Sequence, residues 1–279
     1  MKTISLFALC FVFCISYSLF AQNDDSVIDK KPFVIGESLE IYSEILDENR
    51  VLNVYLPNGY DPNIGQEYPV IYLLDGSKDE DFIHITGLVQ FGSFSWIELI
   101  QETIVVGIGN VDRRRDFTYP TTIEIDKKDF PTAGASETFI EFIEKELQPF
   151  IQEQYQTNGE ESIIGQSLGG LLATEILFKK PDLFDNYIIA SPSLWWDDQS
   201  LLSWEPTKYK SEKSIYIAVG KEGEIMERDA NSLFSKLKEE SGENTTLYFE
   251  FFEEQSHGDV LHLAVYDSFE KLFRKNEEE

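Results

Sequence analysis

The sequence has almost no cysteine. Cys10 and Cys14 are the only two among 279 residues, and both lie in the apolar N-terminal segment. A chain that loses this segment keeps no thiol, which excludes a disulfide framework, a cysteine nucleophile and a cysteine-ligated metal site in the remaining domain. A domain of this size without disulfides is expected to depend on its core, for which the 42% of hydrophobic residues are sufficient.

Positive charge and histidine are also scarce. The chain has 23 Lys and Arg residues against 51 Asp and Glu, a formal net charge of −28. Nucleic acid and anionic membrane surfaces repel such a chain, so we expect neither as a partner. There are three histidines, and the sequence contains no metal-ligand spacing, dinucleotide fingerprint or phosphate loop. The sequence therefore predicts no metal and no cofactor, and nothing in it indicates an oligomeric state.

The first 21 residues have the pattern of a secretory signal peptide. Lys2 supplies the positive start, residues 4–20 are almost all apolar, and Ala21 precedes a polar run. This pattern predicts cleavage near Ala21 and a secreted or periplasmic protein without stable membrane association. An uncleaved anchor is the alternative, because the apolar stretch is close to the minimum length of a membrane-spanning helix. The predicted organisation is a signal peptide (1–21), a polar lead-in (22–32), one domain (33–275) and an acidic tail (276–279).

Hydrophobic patterning predicts an α/β domain. Two alternating stretches, from Leu39 and from Arg50, are separated by a polar break and predict an antiparallel hairpin. Short continuous runs rich in Val, Ile and Tyr predict buried parallel strands that start at Val70, Thr103, Asn186 and Ser214. Helical patterns start at Ser136, which is a candidate N-cap, at Met226 and at Val260. Strands that alternate with helices predict a mostly parallel sheet covered on both faces, with the hairpin at its N-terminal side.

The segment SIIGQSLGGLLATEIL, residues 162–177, contains the pattern Gly-x-Ser-x-Gly. A strand-like run precedes the pattern and a helix-like run follows it, which is the context of a nucleophile elbow. Gly165 and Gly169 leave room where a Cβ would clash, and the turn holds Ser167 in a strained conformation at a helix N-terminus. The sequence predicts Ser167 as a nucleophile. A tight turn with a capping serine is the alternative.

A serine hydroxyl is a weak nucleophile and needs a base. The chain order nucleophile, acid, histidine favours His257, which lies between a strand-like run and the last helix. His262 lies inside that helix and is expected to be a packed or surface residue. His84 precedes the serine, which is the wrong order for the base, and is a candidate for the lining of the site.

An acid is expected between Ser167 and His257, where it would hold the imidazole tautomer and stabilise the imidazolium. Glu222 is favoured and Glu224 is the next candidate, because both follow the strand that starts at Ser214. In so acidic a chain, each carboxylate taken alone is also compatible with a solvated surface position.

An oxyanion intermediate needs two backbone donors. One is expected from the N–H of Leu168, directly after the nucleophile. The other is expected from the loop after the run VIYLLDG, at Gly76 or Ser77. Glycine at 76 would allow the backbone to approach closely.

These motifs resemble those of the esterase family of α/β-hydrolases, which includes enterochelin-esterase-like proteins and feruloyl esterases. The segments PVIYLLDG, IVVGIGNVDRRRDF, IYIAVGKEGE and SHGDV carry the resemblance, together with the elbow and the SPSLWW that follows it. The resemblance extends over nearly the whole mature chain. It implies the α/β-hydrolase fold, Ser167 as nucleophile, His257 as base, and the amides of Leu168 and Ser77 as the oxyanion hole. It leaves the acid open, because some enterochelin-esterase-like members of the family work with a serine–histidine pair and little help from an acid.

Two features suggest how a substrate is held. Arg113 begins an Arg-Arg-Arg run, and a loop above the elbow would let it receive an anionic ester; a structural pairing with Asp116 or another nearby carboxylate is the alternative. Trp195, followed by Trp196, could stack on a sugar or an aromatic acyl group, or simply cover the core.

The sequence thus predicts a secreted serine hydrolase that cleaves carboxylic esters through an acyl-enzyme and needs no cofactor. The expected substrate is a small-molecule or carbohydrate-linked ester. Acyl transfer to an alcohol is the alternative within the same chemistry. A non-catalytic carbohydrate- or siderophore-binding module is the alternative from another class, and the intact pair of serine and histidine argues against it.

Overall fold

A computed structural model describes residues 29–274 of the chain. The predicted signal peptide, both cysteines, the acidic tail and most of the polar lead-in lie outside these residues. Residues 29–34 contain no helix or strand and are exposed. The chain from Ile35 onward belongs to one compact unit. Within residues 29–274, no helix is both long enough and apolar enough to cross a membrane.

The described part of the chain contains one eight-stranded sheet, in the order β1-β2-β4-β3-β5-β6-β7-β8. Its strands are β1 (Glu37–Ser43), β2 (Glu48–Tyr55), β3 (Tyr68–Leu73), β4 (Ile104–Ile108), β5 (Thr157–Gln166), β6 (Asn186–Ala190), β7 (Lys213–Gly220) and β8 (Thr245–Phe252). β1 pairs antiparallel with β2, and β2 pairs antiparallel with β4. All other pairs are parallel. The predicted mostly parallel sheet with an N-terminal hairpin is therefore confirmed.

Helices connect the parallel strands. They are α1 (Phe82–Gly92), α2 (Arg113–Phe117), α3 (Glu124–Asp129), α4 (Ser136–Phe142), α5 (Gln148–Gln154), α6 (Leu168–Lys179), α7 (Trp196–Gln199), α8 (Glu224–Glu240) and α9 (Val260–Leu272). A π-helical turn, Ile143–Leu147, joins α4 to α5. The long helical pattern predicted from Ser136 is thus one continuous helix that contains a π-helical turn.

Two details of the helix predictions differ from the structure. Ala135 is the N-cap of α4, and Ser136 is its first residue, with its hydroxyl buried. The prediction of Ser136 as the N-cap is therefore wrong. The sequence patterns also did not predict α1, α2, α3 and α7. Three of these four helices have six residues or fewer, which is too short for a 3.6-residue periodicity to develop.

Side chains of the central strands alternate between two hydrophobic cores, one on each face of the sheet. In β3, Val70 and Tyr72 pack with α4, α5, α6 and α8, whereas Ile71 and Leu73 pack with α1 and α9. Every residue of β3, β4 and β6 is buried. Burial on both faces explains why these strands appear in the sequence as continuous apolar runs.

The parallel arrangement determines where chemistry can occur. The carboxyl ends of β3, β5, β7 and β8 all lie at one edge of the sheet, because these strands point in the same direction. Loops at this edge are the usual location of ligand sites in open α/β sheets. Ser77, Ser167, Glu222 and His257 all follow the ends of these strands.

Candidate active site

Ser167 lies in a strained turn between β5 and α6. Its backbone has φ 59° and ψ −120°, a conformation that is costly for a residue with a side chain. A Cβ at Gly165 would lie 2.4 Å from the carbonyl oxygen of Gly169, so only glycine fits there. The turn is attached to β6, because the Ser167 N–H donates to the Ala190 carbonyl at 3.1 Å. This geometry agrees with the strand–turn–helix that the sequence predicts.

The hydroxyl of Ser167 has a polar neighbour in the segment after β6. Its Oγ lies 3.2 Å from the Oγ of Ser193, which is almost completely buried. The backbone N–H of Ser193 also donates to the Ser167 carbonyl at 2.9 Å. Within residues 29–274, the side-chain hydrogen bond of Ser167 goes to Ser193 and not to an imidazole.

His257 is hydrogen-bonded to a buried carboxylate. Its Nδ1 lies 2.5 Å from Oε2 of Glu222, whose side chain is 2% exposed. When Nδ1 carries the proton, Nε2 is left free to accept one. The structure therefore brings Glu222, and not Glu224, to the histidine. Glu224 is the exposed first residue of α8.

The hydrogen bonds around Glu222 favour the ionised form of its carboxyl group. Burial raises the pKa of its carboxyl, but hydrogen bonds from His257, from the Ser191 hydroxyl and from the Gly220 N–H oppose burial, and the net pKa is lowered. Ser191 itself has a positive φ of 43° and is completely buried. A carboxylate held by several donors supports a positive charge on the adjacent imidazole.

Ser167 and His257 face the same cavity, which has a volume of about 360 Å³. The cavity is lined by Asp75, Glu80, Asp81, Arg113, Gln166, Ser167, His257 and Gly258. The His257 side chain is 47% exposed, so solvent reaches the imidazole directly. The sequence patterns did not indicate five of these lining residues: Asp75, Glu80, Asp81, Gln166 and Gly258. The position of Asp75, directly beyond the buried strand β3, is the signal that could have indicated it.

The loop after β3 packs against the start of α6. A Cβ at Gly169 would lie 3.4 Å from Oδ2 of Asp75. The N–H of Gly76 donates to the Ile108 carbonyl at 3.0 Å, so this amide is already occupied. Of the two donors considered from the sequence, Gly76 or Ser77, this geometry favours Ser77. Leu168 begins α6, and the first N–H groups of a helix have no partner within the helix.

Arg113 is paired with an aspartate of the same cavity. Its Nε and Nη2 lie 2.6 and 2.8 Å from the two carboxylate oxygens of Asp75, and Nη2 also donates to the Gln166 carbonyl at 3.3 Å. Asp116, the partner considered from the sequence, is bound instead by Arg50 and Arg115. The charge of Arg113 is therefore largely neutralised, although the residue does line the site.

The structure does not bring the two other candidates for substrate binding into this lining. Trp195 is partly buried, and its ring centroid lies 6.2 Å from that of Phe130. The ring of His84 lies 5.2 Å from that of His262. Burial, followed by the nearby His262, lowers the pKa of His84. In residues 29–274, no group of three or more His, Cys, Asp or Glu residues is arranged to hold a metal ion.

The ionised form of Asp81 is unfavourable in this cavity. Burial, with the nearby carboxylates Asp75 and Glu80, raises the pKa of Asp81 to about 6, although Arg113 opposes the shift. Asp81 precedes α1, but its side chain makes no capping hydrogen bond. The carboxylate is therefore kept at this position at a cost to stability, as is common for functional sites.

Comparisons with known proteins agree with this geometry. A family model described as "Putative esterase" matches residues 43–262. The ferri-bacillibactin esterase BesA of Bacillus subtilis (strain 168) is 30% identical over a matched length of 253, gaps included, and the match covers 78% of this chain and 83% of that protein.

Two solved structures share the fold. An IroE-like serine hydrolase from Shewanella oneidensis has a TM-score of 0.76 and 30% identity, with 85% of this chain and 80% of that chain covered. The BES protein from Bacillus cereus has a TM-score of 0.77 and 27% identity, with 88% and 98% covered. The predicted α/β-hydrolase fold is confirmed.

The raised pKa of Asp81 predicts how Asp81→Asn changes stability with pH. The folded pKa of about 6 lies above the unfolded value of about 3.9. The wild type therefore loses stability as the pH rises between these two values, and the full cost is present above the folded pKa. We expect Asp81→Asn to raise Tm more at pH 8 than at pH 5, measured by thermal denaturation. Asp79→Asn, which removes an exposed charge from the same loop, is the control. An equal effect of Asp81→Asn at both pH values would contradict the prediction.

Proposed function

The chain belongs to this esterase family and is a carboxylic ester hydrolase, and on that premise we propose that Ser167, His257 and Glu222 catalyse the reaction through an acyl-enzyme. One observation carries the proposal. The imidazole that is hydrogen-bonded to Glu222 faces the same cavity as the serine of the strained turn. Nucleophile, base and orienting acid are the three groups of a serine-hydrolase triad.

In the proposed mechanism, the Ser167 hydroxyl turns from Ser193 toward Nε2 of His257 when the ester enters. Oγ attacks the carbonyl carbon as its proton passes to Nε2, while Glu222 holds the Nδ1 proton and stabilises the imidazolium. The tetrahedral intermediate expels the alcohol, which takes the proton from Nε2. Water then gives a proton to Nε2 and attacks the acyl carbon, and collapse returns that proton to Oγ and releases the acid.

The oxyanion of both tetrahedral intermediates needs backbone donors. We propose the N–H groups of Leu168 and Ser77 for this role. The start of α6 offers Leu168 together with the positive end of the helix dipole. Ser77 is supported because the amide of Gly76 is occupied by Ile108. Donors of this kind typically contribute a factor of about 10² to 10³ each.

The proposed substrate is a siderophore ester. The name of BesA, ferri-bacillibactin esterase, supports this substrate class. The half-exposed imidazole also supports it, because a large iron complex can lie across an uncovered site while one ester bond enters the cavity. Access of solvent to His257 favours hydrolysis over transfer to another alcohol, since a transferase must keep water from the acyl-enzyme.

We further propose that the protein acts outside the cytoplasm, after removal of its N-terminal segment. The positive start, the apolar run and Ala21 before a polar stretch support this location.

Replacing the proposed nucleophile should abolish turnover. We expect Ser167→Ala to lower kcat on an aryl ester by about 10⁴- to 10⁶-fold and to remove the initial burst of phenol. Mass spectrometry of the quenched wild type should locate the acyl group on Ser167. Ser193→Ala is the control, since it removes the neighbouring hydroxyl and should leave Ser167 acylated. An acyl group on Ser193, or turnover by Ser167→Ala, would refute the assignment.

Wild-type cleavage of ferri-bacillibactin, followed by mass spectrometry, tests the substrate class.

Glu222→Gln, with Glu224→Gln as its control, tests the role of the acid. We expect Glu222→Gln to lower kcat by about 10²- to 10⁴-fold, because the amide neither favours the required tautomer nor balances the imidazolium charge. Glu224→Gln removes an exposed carboxylate two residues away and should stay within about twofold of the wild type. Wild-type kcat in Glu222→Gln would show that serine and histidine act without an acid.

The secretion proposal predicts the N-terminus of the mature protein. When the full chain is expressed with a functioning secretion pathway, we expect N-terminal sequencing of the exported protein to begin at Gln22. An exported or membrane-bound product that still carries Met1 would favour the uncleaved anchor.

A further inference from the structure

The loop that carries His257 has little apolar contact to hold it. It connects β8 to α9, and most of residues 253–259 are exposed. The base of the proposed reaction is itself 47% exposed. Exposed loops are normally mobile unless polar contacts restrain them. General-base catalysis, however, requires the imidazole to stay within about 1 Å of its productive position. The hydrogen bonds of this loop therefore decide whether the base is in place.

Two of these contacts hold the loop from the side of β7. The Nδ1 of His257 binds Glu222, and the N–H of Lys221 donates to the Gln255 carbonyl at 2.7 Å. A third contact lies inside the loop, where Ser256 donates to Asp259. None of these three contacts reaches the turn that carries Ser167.

Gln166 makes the contact on the other side. Its side-chain amide Nε2 donates to the backbone carbonyl of His257 at 2.5 Å. Only the NH₂ end of the amide can donate to a carbonyl, so the orientation of the side chain is determined chemically. Within residues 29–274, this is the hydrogen bond that joins the histidine loop to the elbow.

Gln166 is a rigid anchor for such a contact. It is the last residue of β5 and pairs with Ala190 of β6. Its backbone carbonyl accepts a hydrogen bond from Arg113, which is held in turn by both carboxylate oxygens of Asp75. A side chain attached to so constrained a backbone can set the position of the exposed loop that it touches.

We infer that Gln166 is a positioning residue that holds the imidazole of His257 within reach of the Ser167 hydroxyl. The inference rests on the proposed function of these two residues. Gln166 precedes the nucleophile directly, so its side chain ties the base to the backbone that carries the nucleophile. Without this hydrogen bond, the remaining contacts described within residues 29–274 restrain the loop from the β7 side and from within, and the imidazole can move away from Ser167.

Gln166→Met tests the hydrogen bond at nearly constant side-chain length. Methionine fills a similar volume but donates no hydrogen bond. We expect kcat on an aryl ester to fall by about 10- to 100-fold, because displacement of a catalytic group by about 1 Å costs this much. KM and Tm should stay close to those of the wild type, since the hydrogen bond lies on an exposed loop. Gln90→Met, at an exposed position of α1, is the control for the substitution itself.

Gln166→Glu adds a readout that a purely structural role would not change. An ionised carboxyl repels the His257 carbonyl, whereas a protonated carboxyl can donate to it. The kcat of this variant, divided by the wild-type kcat at the same pH, should therefore rise as the pH falls from 8 to 5. The charged and titratable groups that line the same cavity are Asp75, Glu80, Asp81, Arg113 and His257. These groups also titrate in the wild type, so dividing by the wild-type kcat at each pH corrects for their effect.

The outcomes separate this inference from the proposed function. If the wild type hydrolyses esters and Gln166→Met keeps the wild-type kcat, the inference is wrong. If Gln166→Met melts well below the wild type, the pH ratio of Gln166→Glu decides, and a flat ratio overturns the inference. If the wild type forms no acyl-enzyme at Ser167, the proposed function fails instead.

Discussion

The contact between Gly165 and the carbonyl oxygen of Gly169 is the constraint on which the rest of the site depends. The chain turns from β5 into α6 within one residue, which brings the two backbone segments so close that a Cβ at position 165 has no room. That turn holds Ser167 at φ 59° directly after the carboxyl end of β5, where it lines the cavity. The strain is maintained because the elbow is attached to β6 on one side and continues into a buried helix on the other. Packing of the sheet thus supplies the free energy that keeps Ser167 in this backbone conformation.

The segment Ser191–Ser193 connects both ends of the proposed triad. The first serine binds the carboxylate of Glu222, and the second lies next to the hydroxyl of Ser167. Because this segment directly follows β6, which lies between β5 and β7, it can contact groups on both neighbouring strands. The exposed histidine is then held between Glu222 and Gln166. Buried polar contacts orient Glu222 and Ser167, while His257 lies at the solvent boundary.

The carboxylates that line the cavity do not maximise the stability of the fold. Asp81 is kept as a carboxylate beside two other carboxylates, which raises its pKa to about 6. Arg113, whose charge opposes this shift, is engaged by both oxygens of Asp75 and does not fully neutralise Asp81. A chain that carries a net charge of −28 has little positive charge elsewhere to offset this cost. The same ion pair nevertheless supports the backbone of Gln166, so the charges of the cavity also stabilise its geometry.

The sequence by itself determined the order of the buried strands along the chain and the turn that carries Ser167, because apolar periodicity and a glycine-bracketed serine are local patterns. Chain order also indicated His257 as the base, since its position after the last strand is a topological property. Only the tertiary structure decided that Glu222 and not Glu224 contacts the imidazole, and that Arg113 pairs with Asp75 and not with Asp116. It alone showed the contacts of Gln166 and Ser193. Each of these pairs joins segments that are adjacent only because of the strand order, and local sequence patterns carry no information about which side chains meet across a sheet.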